Sequence, residues 1–234
     1  MIRLICTLIG YLFGSIQTAY FLGRIKGIDI REHGSGNAGT TNTLRVLGTK
    51  AGIVVFCGDM LKSILAVLLV KCLFGVKYPE IAPLLVIYTG LGCVLGHNFP
   101  FYLKFRGGKG IATTGGLMIA FNWMYIPVGL LLFFGNFFIT HLVSIGSLLL
   151  YTGFLVQTII MGQLGVFNVS QSVLNELYIV IFIMLILAFY MHRTNIKRLL
   201  SHSERKTYLF RKNKMDIETN IDAREYKGEG EDMK

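Results

Sequence analysis

Residues 111–161 read IATTGGLMIAFNWMYIPVGLLLFFGNFFITHLVSIGSLLLYTGFLVQTIIM, about fifty residues without a single Asp, Glu, Lys or Arg. A bilayer core of about 30 Å is crossed by roughly 20 helical residues. The block therefore holds two comfortable spans or three short ones, and length does not choose between them. Breaks are expected near Phe121–Pro127 and Thr140–Ser144. Four other apolar segments, 2–23, 50–74, 80–97 and 174–192, each read as one span.

Charge makes the choice. With three spans in the block, the segments 24–50, 97–110, 138–143 and everything from 191 lie on one side. They carry five, three, zero and eleven Lys and Arg residues. The other side keeps Arg3, Lys71 and Lys77, and Lys62 falls inside a span. With two spans, the eleven-cation tail would lie opposite the other eight. The positive-inside rule thus predicts an all-α integral membrane protein with seven transmembrane helices, its N-terminus outside and its C-terminus in the cytoplasm.

Composition agrees. Of 234 residues, 53% are hydrophobic and 15% charged, against about 25% charged in soluble domains. The length suits one membrane domain, 1–203, followed by a tail, 204–234. That tail is basic from 204 to 214, and from Asp216 it is mixed in charge and expected to be disordered. The net charge of +10 sits beside apolar blocks, which points to anionic headgroups of the bilayer and not to nucleic acid. Cys6, Cys57, Cys72 and Cys93 lie in apolar segments without a C-x-x-C pair, and are expected to be buried, inert thiols with no metal site. The first apolar run is longer than a signal-peptide core and is read as a retained span.

Three polar segments carry the chemistry. Residues 34–45 read GSGNAGTTNTLR: Gly34, Gly36 and Gly39 alternate with Ser35, Asn37, Thr40, Thr41 and Asn42, and Arg45 closes the run. Glycines let backbone N–H groups converge on an anion, and a guanidinium fork matches phosphate oxygens. No Walker A loop is present, because Gly39 is followed by Thr40. Residues 96–113 read GHNFPFYLKFRGGKGIAT, where Gly107, Gly108, Lys109 and Gly110 immediately precede a new span. A helix N-terminus is a ready anion site, with His97 and Asn98 as buttress. Residues 192–199 read HRTNIKRL, and His192 and Asn195, at i and i+3, share a helix face. Asp59 and Lys62, also i and i+3 but inside a span, are expected to form a structural ion pair. Ser144 lies in the one cytoplasmic turn without cations, beside His141.

Together these segments resemble the acyl-phosphate-dependent glycerol-3-phosphate acyltransferases of bacteria (the PlsY family), from about residue 10 to 204. The first is similar to S-G-N-x-G-x-T-N-x-x-R (Ser35 to Arg45). The second resembles G-H-x-x-P…F-x-G-G-K-G-x-A-T (Gly96 to Thr113), and the third H-R-x-N-I-x-R-L…E (His192 to Leu199, then Glu204). Thr40, His141 and His202 depart from residues frequent in that family, alanine, serine and glycine respectively.

The resemblance implies seven transmembrane helices in the bacterial plasma membrane, with the active site on the cytoplasmic face. It implies acyl transfer from acyl-phosphate to the 1-hydroxyl of sn-glycerol 3-phosphate, giving lysophosphatidic acid and phosphate without a cofactor. Ser35, Arg45, Lys109, Ser144, His192 and Asn195 are the implied catalytic residues. Gly36, Asn37, Thr41, Asn42, His97, Gly107, Gly108 and Gly110 are expected to bind substrate phosphate. The other expected partners are the lipid bilayer and an upstream enzyme that forms acyl-phosphate, and the chain is expected to work as a monomer.

The residue inventory suits positioning chemistry, since an acyl-phosphate is already activated and two anions must be held together. The H-x-x-x-x-D pair of acyl-CoA acyltransferases is absent after every histidine. Either His192 or a substrate phosphate oxygen takes the hydroxyl proton. The second is expected, because clustered cations disfavour a protonated imidazole. The alternative function is a transporter of a phosphorylated solute, which predicts midplane ionisable groups and an internal repeat. Only Asp59 and Lys62 lie inside spans, and no repeat is visible. A CDP-alcohol phosphotransferase would need several metal-binding aspartates, and the cytoplasmic loops between spans offer only Asp29.

Overall fold

The computed structural model describes residues 1–209. It is all-helical, with five helical segments long and apolar enough to cross a membrane: Ile2–Ile25, Thr49–Phe74, Pro79–Leu103, Val143–Gln163 and Gln171–Met191. Within them lie α1 (Ile2–Ser15), α2 (Thr18–Ile25), α4 (Thr49–Phe74), α5 (Ala82–Asn98), α9 (Val143–Gln163) and α10 (Gln171–Met191). Short α3 (Thr40–Leu47) and α11 (Arg193–Leu200) flank the bundle at one end.

The charge-free block divides into three helical segments, with breaks at residues 122–124 and 141–142. α6 (Ile111–Phe121) comes first. Next, α7 (Tyr125–Leu130) runs through a π-helical turn, Leu131–Gly135, into α8 (Asn136–Thr140), and α9 is the third. At 1.5 Å per residue α6 spans only about 16 Å. Its end needs partners, because unsatisfied backbone groups are costly away from water. Lys71 of α4 donates to Ala120 O at 2.6 Å and Phe121 O at 3.3 Å. The Asn122 side chain accepts from Met124 N at 3.0 Å, and Gln157 Nε2 donates to Met124 O at 2.7 Å. The second break turns on His141, whose φ of 58° ends α8. Leu142 N then donates to Thr140 Oγ1 at 3.1 Å.

α1 and α5 meet backbone to backbone. Gly10 and Gly14 on one helix, and Gly92 and Gly96 on the other, form reciprocal Gly-x-x-x-Gly stripes of the kind that let membrane helices approach closely. A Cβ at Gly10 would lie 2.0 Å from Thr89 O, and one at Gly92 2.0 Å from Thr7 O. Gly92→Ala is therefore expected to wedge the pair apart and cost about 2–3 kcal/mol, read as a lower unfolding midpoint in detergent. An unchanged midpoint would mean that the helices do not pack this closely.

Between α1 and α2 the chain breaks at Ile16–Gln17, and a buried polar cluster repairs the break. Lys62 Nζ donates to Ile16 O at 2.7 Å and pairs with Asp59 Oδ1 at 2.8 Å, as expected of that i, i+3 pair. It also lies 2.8 Å from His97 Nδ1. Thr18 Oγ1 donates to Asp59 Oδ1 at 3.1 Å, and Gln17 Nε2 to His97 O at 2.9 Å. At the opposite end of the bundle Arg3 makes a two-pronged contact with Glu176 (2.6 and 2.7 Å), which also accepts from Tyr88 Oη at 2.8 Å. This clamp ties α1, α5 and α10 together.

All four cysteines are free. The expectation of burial holds for Cys6 and Cys93 but not for Cys57 and Cys72, which lie on exposed faces of α4. An apolar run that looks uniform still has an outward side in a bilayer, and a thiol is tolerated there.

Candidate active site

Loop 24–39 is built around one side chain. Asn42, buried in α3, accepts from Ser35 N at 2.7 Å and Ser35 Oγ at 3.1 Å, and donates to Ile30 O at 3.1 Å and His33 O at 3.0 Å. Gly34, at φ 63°, passes so close that a Cβ would lie 2.3 Å from Asn42 Oδ1. Arg31, held by Asp29 at 2.6 Å, donates to Leu103 O at 3.1 Å and so joins the first loop to the second.

The second loop folds back on α5. Gly107 N donates to Asn98 O at 3.1 Å and Gly108 N to His97 O at 3.0 Å. Cβ atoms there would meet His97 O and His97 Nε2, each at 2.0 Å. Ala38 N donates to Gly107 O at 3.4 Å, locking the two loops together. The glycine amides of these loops are thus largely engaged within the chain: Gly36 N bonds His33 O, and Gly39 N bonds Asn37 O. The donors left facing the centre are side chains and helix starts.

Those donors converge on a cavity of about 340 Å³. Of the residues singled out in the sequence, Ser35, Asn37, Thr41, Asn42, Arg45, His97, Lys109, Gly110, Ser144, His192 and Asn195 line it. Gly36, Gly107 and Gly108 do not: Gly36 is an exposed loop residue at φ 72°, and Gly107 and Gly108 pack against the end of α5. Four helices begin there. α3 starts at Thr40, α6 at Ile111, α9 at Val143 and α11 at Arg193, the last with His192 as its N-cap. First-turn N–H groups have no partner within their own helix, and the positive end of a helix dipole lies at its start.

A carboxylate that the sequence reading gave no place in the site sits among these groups. Glu204 Oε1 accepts from Asn195 Nδ2 at 2.6 Å and from Ser144 Oγ at 3.2 Å, and Oε2 from Arg198 Nε at 3.0 Å. Lys109 Nζ donates to Asn195 Oδ1, completing a chain of contacts from the second loop to Glu204. Arg45 donates to Arg205 O at 3.1 Å and Thr207 Oγ1 at 2.7 Å, while Thr207 N donates to His141 O at 2.9 Å. Residues 204–209, counted in the sequence as the start of a separate tail, lie across the cavity as a strap. The disorder expected from Asp216 onward, and the basic residues Arg211, Lys212 and Lys214, fall outside the described residues. Glu204 stands at the end of the third motif, which was the one signal that could have found it.

A family model described as glycerol-3-phosphate acyltransferase matches residues 4–202. The chain belongs to this family. It is 40% identical to the glycerol-3-phosphate acyltransferase of Bacillus subtilis (strain 168), over 88% of this chain and 98% of that one. It is 41% identical to the glycerol-3-phosphate acyltransferase of Clostridioides difficile (strain 630), over 87% and 94%. Its fold is similar to crystal structures of PlsY (YgiH), an integral membrane glycerol 3-phosphate acyltransferase. The glycerol 3-phosphate form gives a TM-score of 0.76 at 31% identity, covering 89% of this chain and 99% of that one. The lysophosphatidic acid form gives 0.73 at 31% identity, covering 87% and 94%. This acyltransferase family chain is thus a multi-pass membrane protein. His202, where the resemblance expects glycine, adopts φ 54°, a conformation that favours glycine.

Proposed function

We propose that this chain transfers an acyl group from acyl-phosphate to the 1-hydroxyl of sn-glycerol 3-phosphate. The hydroxyl oxygen attacks the acyl carbonyl carbon, and the bond from that carbon to the phosphate oxygen breaks. Lysophosphatidic acid and inorganic phosphate leave. The observation that carries this reading is one cavity that combines four helix N-termini with Arg45 and Lys109 and that also has an apolar side, with Phe56, Phe133 and Phe134. Two phosphate-bearing molecules, one with a hydrocarbon tail, match that division.

In this reading Arg45, Lys109 and Ser35 neutralise and orient the phosphates, and Asn195 fixes the Lys109 ammonium. Asn37, Thr41 and Gly110 border the phosphate positions, with His97 beneath them. His192 lies within 2.8 Å of Ala188 O through Nδ1, so that nitrogen carries the proton and Nε2 is left as an acceptor. That suits orienting the glycerol hydroxyl, whose proton passes to a phosphate oxygen. Seven spans, an outside N-terminus and a cytoplasmic site agree with the charge distribution along the chain. A monomer supplied by an upstream acyl-phosphate-forming enzyme completes the proposal, with residues 1–203 as the membrane unit.

The test is direct. Purified protein in a lipid mesophase, given acyl-phosphate and glycerol 3-phosphate, releases phosphate and forms lysophosphatidic acid in equal amounts. Folded protein that does neither would sink the reading. A pH profile tests the cation. Burial pushes the Lys109 ammonium down to about 8, against the Glu204 carboxylate and together with Arg198, Arg45 and Arg193. Below that pH Lys109 is charged, and above it the charge is lost. kcat/KM is expected to fall as pH rises through about 8, with the fall absent in Lys109→Arg. The same fall in both proteins would assign the titration elsewhere.

A further inference from the structure

Lys62 of α4 lies outside the three polar motifs, yet its ammonium touches one of them. The group has three N–H donors, and three acceptors surround it: Ile16 O at 2.7 Å, Asp59 Oδ1 at 2.8 Å and His97 Nδ1 at 2.8 Å. With all three protons placed, His97 Nδ1 accepts and cannot donate. An imidazole that accepts at Nδ1 is neutral and carries its proton on Nε2. His97 is also where the interior meets the second loop. Its carbonyl accepts from Gly108 N at 3.0 Å and from Gln17 Nε2 at 2.9 Å. Its Nε2 passes so close to Gly108 that a Cβ there would lie 2.0 Å away, which only glycine permits. Among the described residues Nε2 has no hydrogen-bond partner, and His97 lines the same cavity as Lys109 and Gly110.

We propose that Lys62 is a positioning residue for the acyl transfer, holding His97 in the tautomer that offers Nε2–H to a phosphate oxygen of glycerol 3-phosphate. The proposal rests on the acyltransferase reading above and deepens it. Arg45 and Lys109 supply charge at the cavity, whereas a neutral N–H adds direction. A ring free to exchange tautomers would present the Nε2 lone pair to the anion part of the time, and two acceptors facing each other repel. The buried Asp59–Lys62 pair removes that state. Lys62 never meets the substrate; it acts through the imidazole, from a side where Asp59 and Ile16 O fix its ammonium in place.

The experiment sets purified wild-type protein beside His97→Asn, His97→Gln and the double variant Asp59→Leu/Lys62→Met, which removes both charges so that neither is stranded. The asparagine carbonyl takes the place of Nδ1 and still accepts from Lys62, but nothing reaches the place of Nε2. Glutamine puts an N–H there and leaves Lys62 without a good acceptor. KM for glycerol 3-phosphate is expected to rise at least about tenfold in His97→Asn at a near-wild-type thermal midpoint, the effect of losing one hydrogen bond to a charged group. His97→Gln should lower the midpoint yet recover most of that KM. A purely structural histidine gives the opposite order, and that order overturns the proposal. Nitrogen-15 NMR of histidine-labelled wild type is expected to show His97 with bare Nδ1 and protonated Nε2, and the double variant to show both tautomers. A proton on Nδ1 in the wild type, or a single Nε2–H tautomer in the double variant, overturns the role of Lys62. Should the double variant not fold, the two His97 variants and the wild-type spectrum decide. Wild-type protein that forms no lysophosphatidic acid would instead overturn the acyltransferase reading, and the spectrum would still report the tautomer.

Discussion

Lys109→Met is expected to lower kcat by about 10²–10³-fold while the protein stays folded, the usual effect of removing one preorganised electrostatic donor. Methionine keeps much of the side chain's length and bulk, so the second loop has no reason to move: its path is fixed by Gly107, Gly108 and the carbonyls of His97 and Asn98. The loss is specific to the ammonium, which meets Asn195 Oδ1 at the meeting point of two loops and the α11 start. Arg45 and the four helix starts remain, so anion binding survives in part and KM rises less than kcat falls. Steady-state kinetics beside a thermal midpoint measure both. A folded variant keeping more than about a tenth of wild-type kcat would remove Lys109 from the chemistry.

Asp59→Asn is expected to be the most destabilising conservative change, at about 3–5 kcal/mol, because it strands the Lys62 charge in the interior. Lys62 cannot reach water: it is 4% exposed and already serves Ile16 O and His97 Nδ1. Replacing both residues with leucine should recover part of the loss, since no unpaired charge remains. Full recovery is not expected, as Ile16 O would then lack its donor. Denaturation in mixed detergent micelles ranks the three proteins, and an Asp59→Asn protein as stable as wild type would show that the pair carries no structural role. His97 underlies Gly108, so activity is expected to fall with stability.

Much of this was legible in the chain itself. Hydropathy located the long segments, and the polar break at Asn122 and the turn at His141 divided the charge-free block. Residue type singled out Arg45, Lys109, His192 and Asn195, the family resemblance added Ser144, and all five line one cavity. The use of the glycines was not legible. Gly107 and Gly108 suggested amides aimed at an anion, yet their N–H groups go to Asn98 O and His97 O; sequence records a donor, not the acceptor that claims it. Asn42 read as a ligand and proves also to be the post around which the first loop folds. Glu204 was hidden because carboxylates are unexpected in an anion site, and its place depends on two donors from the neighbouring α11 and one, Ser144, from the distant α9. The stripes at Gly10, Gly14, Gly92 and Gly96 carry a known spacing signal, unrelated to phosphate binding.

The Arg3–Glu176 clamp joins residues 173 positions apart, and this bears on how the protein is born. Arg3 enters the bilayer with the first helix, and its partner is not synthesised until the ribosome reaches the last. Until then a cation waits at the membrane edge without its counter-ion. α1 can dock on α5 through their glycines in the meantime, but the ring of helices closes only when the final hairpin arrives. Assembly of the Arg3 end of the bundle is therefore timed by the synthesis of α10.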